Sequence, residues 1–286
     1  MEEKKMSESK ENTTVAKVEE NKFGFGAFRS VKNDNSELMD VNASDIQLPK
    51  IKLLQNTSQE VVQKKGAPGE FYNTVTGKSV AELPCIILSQ SKMMTMWNTP
   101  FKRGEDPLCR SYDAAKKSDP DGKGDGICAT CQYSSQNPSA WKEAKGKGLN
   151  HPECMQSYAF LMKTAAETGS EAPFRLICSG SSVAAAKKII SNIASMNVAP
   201  FCCKVTLKST LQQNDSGAFY VINFADFRPN DELLDENGQV IQEKYEKIND
   251  MAISLRGFFM TSGLAEADVV DEPDVSDDGS EAGALF

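Results

Sequence analysis

Four cysteines stand in a stretch with almost no aliphatic residues, at the spacing Cys109-x18-Cys128-x2-Cys131-x22-Cys154. Two thiolates separated by two residues on a tight turn can both reach one ion at about 2.3 Å. Cys109 and Cys154 would complete a tetrahedral site from the flanking loops. Thiolates select zinc or an iron–sulfur cluster. One structural zinc ion is the expectation, because residues 98–156 are rich in Gly, Pro, Asp, Lys and Ser. A segment so long without apolar periodicity needs something other than a core to hold it. His151, the only histidine, lies three residues before Cys154 and is the alternative fourth ligand.

An enzymatic use of the same residues would need a different arrangement. His151-Pro152-Glu153 is an H-x-E triplet near a C-x-x-C pair. Zinc deaminases use H-x-E followed by P-C-x-x-C. Here the order is reversed, Ile127 precedes the cysteine pair, and four thiolates would leave no open position for water. The body carries no Gly-rich phosphate loop, no nucleophile–base pair and no dense carboxylate motif, so the expectation is a binding protein and not an enzyme. The other cysteines (Cys85, Cys178, Cys202 and Cys203) sit in apolar, strand-like runs and read as small core residues.

The elements around the cysteines read as mainly β, in an α+β arrangement. "LPKIKLLQ" gives a first strand, followed by "EVVQ", and residues 66–77 give a hairpin with turns at Gly66, Pro68-Gly69 and Thr76-Gly77. Residues 83–97 form a long apolar strand. After the cysteine segment, "SYAFLMKTA" and "APFRLICSG" give two more strands around Gly169. A helix capped by Ser181 or Ser182 runs to about Met196, with Val183, Ala186, Ile189, Ile190, Ile193 and Met196 on one face. "FCCKVTLKST" and "GAFYVINFADF" form a hairpin across residues 214–217. A last helix spans about 239–260, with Ile241, Tyr245, Ile248, Ala252 and Leu255 as its apolar stripe. Curved strands with one inserted helix fit an OB-like β-barrel, a fold whose strand face and loops bind oligonucleotides. The expected division is an N-terminal arm (1–40), one domain (41–262) with the zinc-binding insertion at 98–156, and a C-terminal tail (263–286).

Charge is segregated. The chain has 32 basic and 40 acidic residues. Residues 265–286 hold eight carboxylates and no Lys or Arg, so the rest balances at 32 against 32 and the tail carries the net charge of −8. Both the arm and this tail are expected to be disordered. The tail ends in Leu285-Phe286 after Asp277-Asp278, an acidic strip with an aromatic hook for a partner. No stretch approaches the roughly 20 apolar residues of a membrane span, and the N-terminus lacks a signal-peptide pattern. A cytoplasmic protein with reduced thiols is expected, in a bacterial host if the chain is phage-encoded.

The most basic part of the body is 155–210, with six basic residues (Lys163, Arg175, Lys187, Lys188, Lys204 and Lys208) against Glu167 and Glu171. Strand alternation puts Lys204, Thr206 and Lys208 on one face, with Tyr220 on the next strand. A second patch joins Trp97, Phe101, Lys102 and Arg103 to Tyr112. A third joins Trp141 to Lys142, Lys145 and Lys147. Basic residues interleaved with aromatic platforms are what single strands require.

The tail resembles those of the single-stranded DNA-binding proteins of bacteria and their phages, with Leu285 where the bacterial pattern has Pro. An OB-like domain with a zinc-bearing insertion is similar to the T4-type phage proteins, although their site uses one His with three cysteines. The terminal Phe286 is closer to the T7-type. The resemblance implies a protein that coats and protects single-stranded DNA during replication, recombination and repair. It also implies that the tail recruits a polymerase, helicase, primase or recombinase, with the tail competing for the DNA groove and the arm assisting self-association. The rival expectation is a zinc-ribbon adaptor that binds a protein, such as an RNA polymerase or host factor, and has no DNA affinity.

Overall fold

The computed structural model describes residues 49–98, 106–118, 121–124, 126–149, 151–165, 172–214 and 217–261, with side chains as far as Arg256. All of them belong to the unit that begins at Ala43. The expected arm (1–40) and tail with Asp277, Asp278, Leu285 and Phe286 lie outside the described residues, as do Phe101, Lys102 and Arg103.

The fold is mainly β, with a strongly curled half-barrel sheet and some helices. The chain runs β1 (Lys50–Leu53), α1 (Gln59–Val62), β2 (Phe71–Asn73), β3 (Ser79–Val80), β4 (Leu83–Met96), β5 (Cys109–Ser111), α2 (Pro138–Gly146), β6 (Cys154–Thr164), β7 (Phe174–Cys178), α3 (Val183–Met196), β8 (Cys203–Asn214), β9 (Gly217–Pro229) and α4 (Gln242–Thr261). The nine strands make one sheet in the order β3-β2-β1-β7-β6-β4-β8-β9, with β5 paired to β4. Neighbours are antiparallel except β1 and β7.

The period-2 alternation of β4 and β6 divides two cores across the sheet. Cys85 and Ile87 of β4, with Phe160 and Met162 of β6, pack with Ala186, Ile189 and Ile193 of α3. Ile86 and Leu88, with Ala159 and Leu161, pack with Phe201, Leu233 and the α4 residues Ile248 and Ala252. α3 forms from a run of good helix formers (Ala184-Ala185-Ala186-Lys187-Lys188) and ends at Asn197, whose φ of 51° is the left-handed stop that Asn tolerates.

Two details of that helix differ from the sequence expectation. Ser182 precedes α3 without capping it. Its Oγ instead accepts the Ile222 N–H at 3.1 Å, because that backbone donor on the unpaired side of β9 has no strand to bond. Met196 is exposed, because the stripe rotates off the sheet in the last turn. Cys85, Cys178 and Cys203 are buried and Cys202 is half-buried, and none forms a disulfide.

The far edge of the sheet is closed by side chains. The Gln55 amide donates to the Tyr220 carbonyl at 2.9 Å and accepts from the Tyr220 N–H at 2.8 Å. Asn56 Nδ2 reaches the Ala218 carbonyl at 3.2 Å. The loop after β1 thus supplies a surrogate strand to β9, which masks an edge that would otherwise pair with another chain. No helix among the described residues is long and apolar enough to cross a membrane.

Candidate metal centre and nucleic-acid interface

The four cysteines of the insertion come from two strands and one turn and line one pocket. Cys109 opens β5 and Cys154 opens β6, and both pair with Met96 at the end of β4 from opposite sides. Cross-strand partners share a face, so both thiols lie on the side where Met96 is buried. The turn carrying the other two is built by backbone bonds. The N–H of Cys131 donates to the Ile127 carbonyl (3.0 Å) and that of Cys128 to the Ala115 carbonyl (2.9 Å). Cys154 N–H donates to Tyr133 and its carbonyl accepts from Ser135, both at 2.9 Å, which draws the turn onto β6.

Gly124 completes the pocket wall. Its φ is +128°, and a Cβ there would sit 3.2 Å from Cys131 Sγ and 3.9 Å from Cys109 Sγ. Asp113 braces the loop, accepting from Ala115 N–H (2.8 Å), Lys116 N–H (3.1 Å) and Ser111 Oγ (3.0 Å). The Ala115 N–H is the main cause of its lowered pKa. Burial pushes the Cys128 and Cys154 thiols up, and the neighbouring thiols add to the rise at both.

Four buried thiols lining one pocket suit a soft divalent ion. Among the described residues, however, no three His, Cys, Asp or Glu already stand close enough to form a metal-holding group. Cys109 and Cys154 lie on two different neighbours of β4, with the buried Met96 between them. His151 is not among the pocket residues. Its Nδ1 lies 2.9 Å from the Pro152 carbonyl, while Glu153 faces Lys123 at 3.5 Å.

The expected basic face of the sheet is neutralised. Lys204 is 9% exposed and hydrogen-bonded to Asp231 and, at 3.0 Å, to Glu232. Burial pulls its pKa down, but those two carboxylates outweigh the loss and leave it raised. Glu232 also takes Lys163 at 3.4 Å. Lys208 meets Glu82 at 3.2 Å and Asp226 at 3.5 Å. Lys163 and Lys204 stand on either side of the buried Ile86, and the carboxylates that meet the lysines come from the turn after β9 (Asp231 and Glu232), from the residue before β4 (Glu82) and from the β9 bulge (Asp226).

Arg175 is 2% exposed and so presents no surface to a phosphate. Its strand is interior to the sheet, between β1 and β6, and no pattern in "APFRLICSG" indicates this. Tyr220 serves the edge clasp, and its ring lies so close to Gly69 that a Cβ there would be 2.5 Å away. Neither residue forms the expected groove wall.

Aromatic and basic groups do gather in the cysteine segment. Trp97 is half-buried at the end of β4. Arg110 lies over Tyr112 at 5.9 Å and donates to its hydroxyl at 3.1 Å. Lys123 lies 4.7 Å from the Tyr133 ring centroid. Trp141 is on the exposed side of α2.

Sequence reading missed the residue that positions this helix. Asn137 caps α2 by accepting the Ser139 N–H at 3.0 Å, and its Nδ2 donates to Thr130 (2.9 Å) and Cys131 (3.2 Å) carbonyls. The Asn-Pro pair at 137–138, a helix-start signature, was the available signal.

A curled β body carrying a thiol-lined, loop-rich segment defines a mainly β protein with a candidate metal centre. The chain belongs to the Pam3 phage gp34-like protein family, whose sequence profile matches residues 23–251. No curated protein and no solved structure matches it.

Proposed function

We propose that this protein binds single-stranded DNA for phage replication, recombination or repair, without catalysing a reaction, and that its acidic C-terminal tail recruits a partner protein. In this reading the half-barrel is an OB-like core. Cys109, Cys128, Cys131 and Cys154 hold one structural zinc ion that orders the insertion. The observation that carries the reading is the convergence of four thiols on one pocket, with Lys123 and Tyr133 in its wall. The helix that follows carries Trp141, Lys142 and Lys145 and is fastened to the Cys128–Cys131 turn by Asn137, and an aromatic ring beside cations matches the needs of single-strand binding. Membership of a phage family agrees with it.

One observation favours the adaptor reading. Lys163, Lys204 and Lys208 are held by carboxylates, which withdraws them from a polyanion.

The deciding experiment is fluorescence anisotropy with a labelled dT oligonucleotide of about 30 nucleotides at two salt concentrations. It compares the full chain with a truncation after Gly263, and the metal content is measured in parallel. Salt-sensitive binding to single strands over duplex, equal or tighter in the truncation, is expected. Absence of binding by a zinc-containing chain overturns the proposal in favour of the adaptor.

A further inference from the structure

Lys163, Lys204 and Lys208 of the sheet are engaged by carboxylates, whereas α2 presents an indole and two ammonium groups that no described carboxylate neutralises. Trp141 is 38% exposed although it is among the largest apolar residues of the segment. Its only polar atom, Nε1, donates to the Ser135 carbonyl at 2.9 Å, so the ring is pinned by one edge while part of it meets solvent. Lys142 is its neighbour, and Lys145 lies one helical turn on, on the same side. Lys147, by contrast, is held by Glu143 at 2.7 Å. Ala140 and Ala144 bury the opposite side of the helix, and Asn137 fastens its start to the Cys128–Cys131 turn.

We infer that α2 is the surface that takes the single strand, with Trp141 stacking on a base and Lys142 and Lys145 contacting flanking phosphates. The inference rests on the single-strand reading and says which surface carries it. Unstacked bases offer a π-face to an indole, and a duplex does not. Two unpaired ammonium groups within one turn of the ring complement a phosphate backbone. An acidic peptide has the charge but not the succession of flat rings, so it is the lesser fit.

The test uses the full chain and the variants Trp141→Ala, Trp141→Phe and Lys142→Ala/Lys145→Ala, titrated with labelled dT oligonucleotide at several salt concentrations. Trp141→Ala is expected to weaken binding roughly ten-fold, and Trp141→Phe to restore most of it. The double lysine variant is expected to weaken binding and to flatten the salt slope by about 1.4, at about 0.7 per phosphate contact on a single strand. Circular dichroism checks that each variant is folded. If the unchanged protein binds and all variants match it in affinity and slope, α2 is not the contact and the function stands. If the unchanged protein fails to bind, this inference and the single-strand reading fall together. Equal binding of polyglutamate and oligonucleotide, with both lost in the lysine variant and retained in Trp141→Ala, overturns base stacking.

Discussion

Single atoms decide how the thiol pocket is shaped. Gly124 is favoured by its φ of +128°, and a Cβ there would also sit tightly, at 3.2 Å, against Cys131 Sγ. An L side chain there is strained in backbone and presses on that sulfur. Gly124→Ala is therefore expected to lower the melting temperature and, on the proposed zinc reading, the metal content per chain, as read by thermal denaturation and metal analysis. A variant with unchanged metal content and stability would show that this wall does not shape the site. Gly126 has φ +90° but open space around it, so the corresponding substitution there isolates backbone strain from the contact with sulfur. The sequence shows a glycine-rich run at 122–126 but not which glycine touches the thiols, because that contact depends on how the loop folds back onto the Cys128–Cys131 turn.

At the scale of elements, the sheet's last edge depends on a side-chain amide. Gln55 bonds both backbone groups of Tyr220, and Gly69 leaves room for the Tyr220 ring. Gln55→Ala is expected to cost about 1 kcal/mol and to speed hydrogen exchange at the Tyr220 amide. Urea denaturation and exchange measured together check this; unchanged exchange would mean that the clasp is incidental. The β8–β9 hairpin was legible, since two β-prone runs flank a turn. Its neutral charge was not. The lysines alternate as their sequence requires, but Asp231 and Glu232 return to them through a turn pinned by Asn230, whose Nδ2 reaches the Phe201 carbonyl at 2.9 Å.

Across the whole molecule, acid is the condition that exposes these polar networks. Glu70 is held below the ordinary carboxylate range by the Ser79 hydroxyl and then the Ala67 N–H. Asp113 is held low by the Ala115 N–H and Asp231 by Lys204. A depressed folded pKa contributes stability that is present above the unfolded value, near 4, and lost as pH falls through the lower folded values. The melting temperature is thus expected to be flat from neutral pH to about 5 on account of these groups and to fall below about 4. Thermal scans across that range check the sign; a rise in stability on acidification would contradict it.

Local pattern determined the long strands and both long helices, because apolar period and turn residues act over a few neighbours, whereas β5 and α2 of the cysteine segment have too few apolar residues to show a period. It also placed Cys85, Cys178 and Cys203 in the core. The tertiary structure alone decided which charges stay available. Lys204 and Lys208 look like a basic wall in sequence, yet the fold brings Glu82, Asp226, Asp231 and Glu232 onto them and seals Arg175 inside the sheet. Pairing of distant charges and burial of a strand depend on sheet order, which no local period encodes.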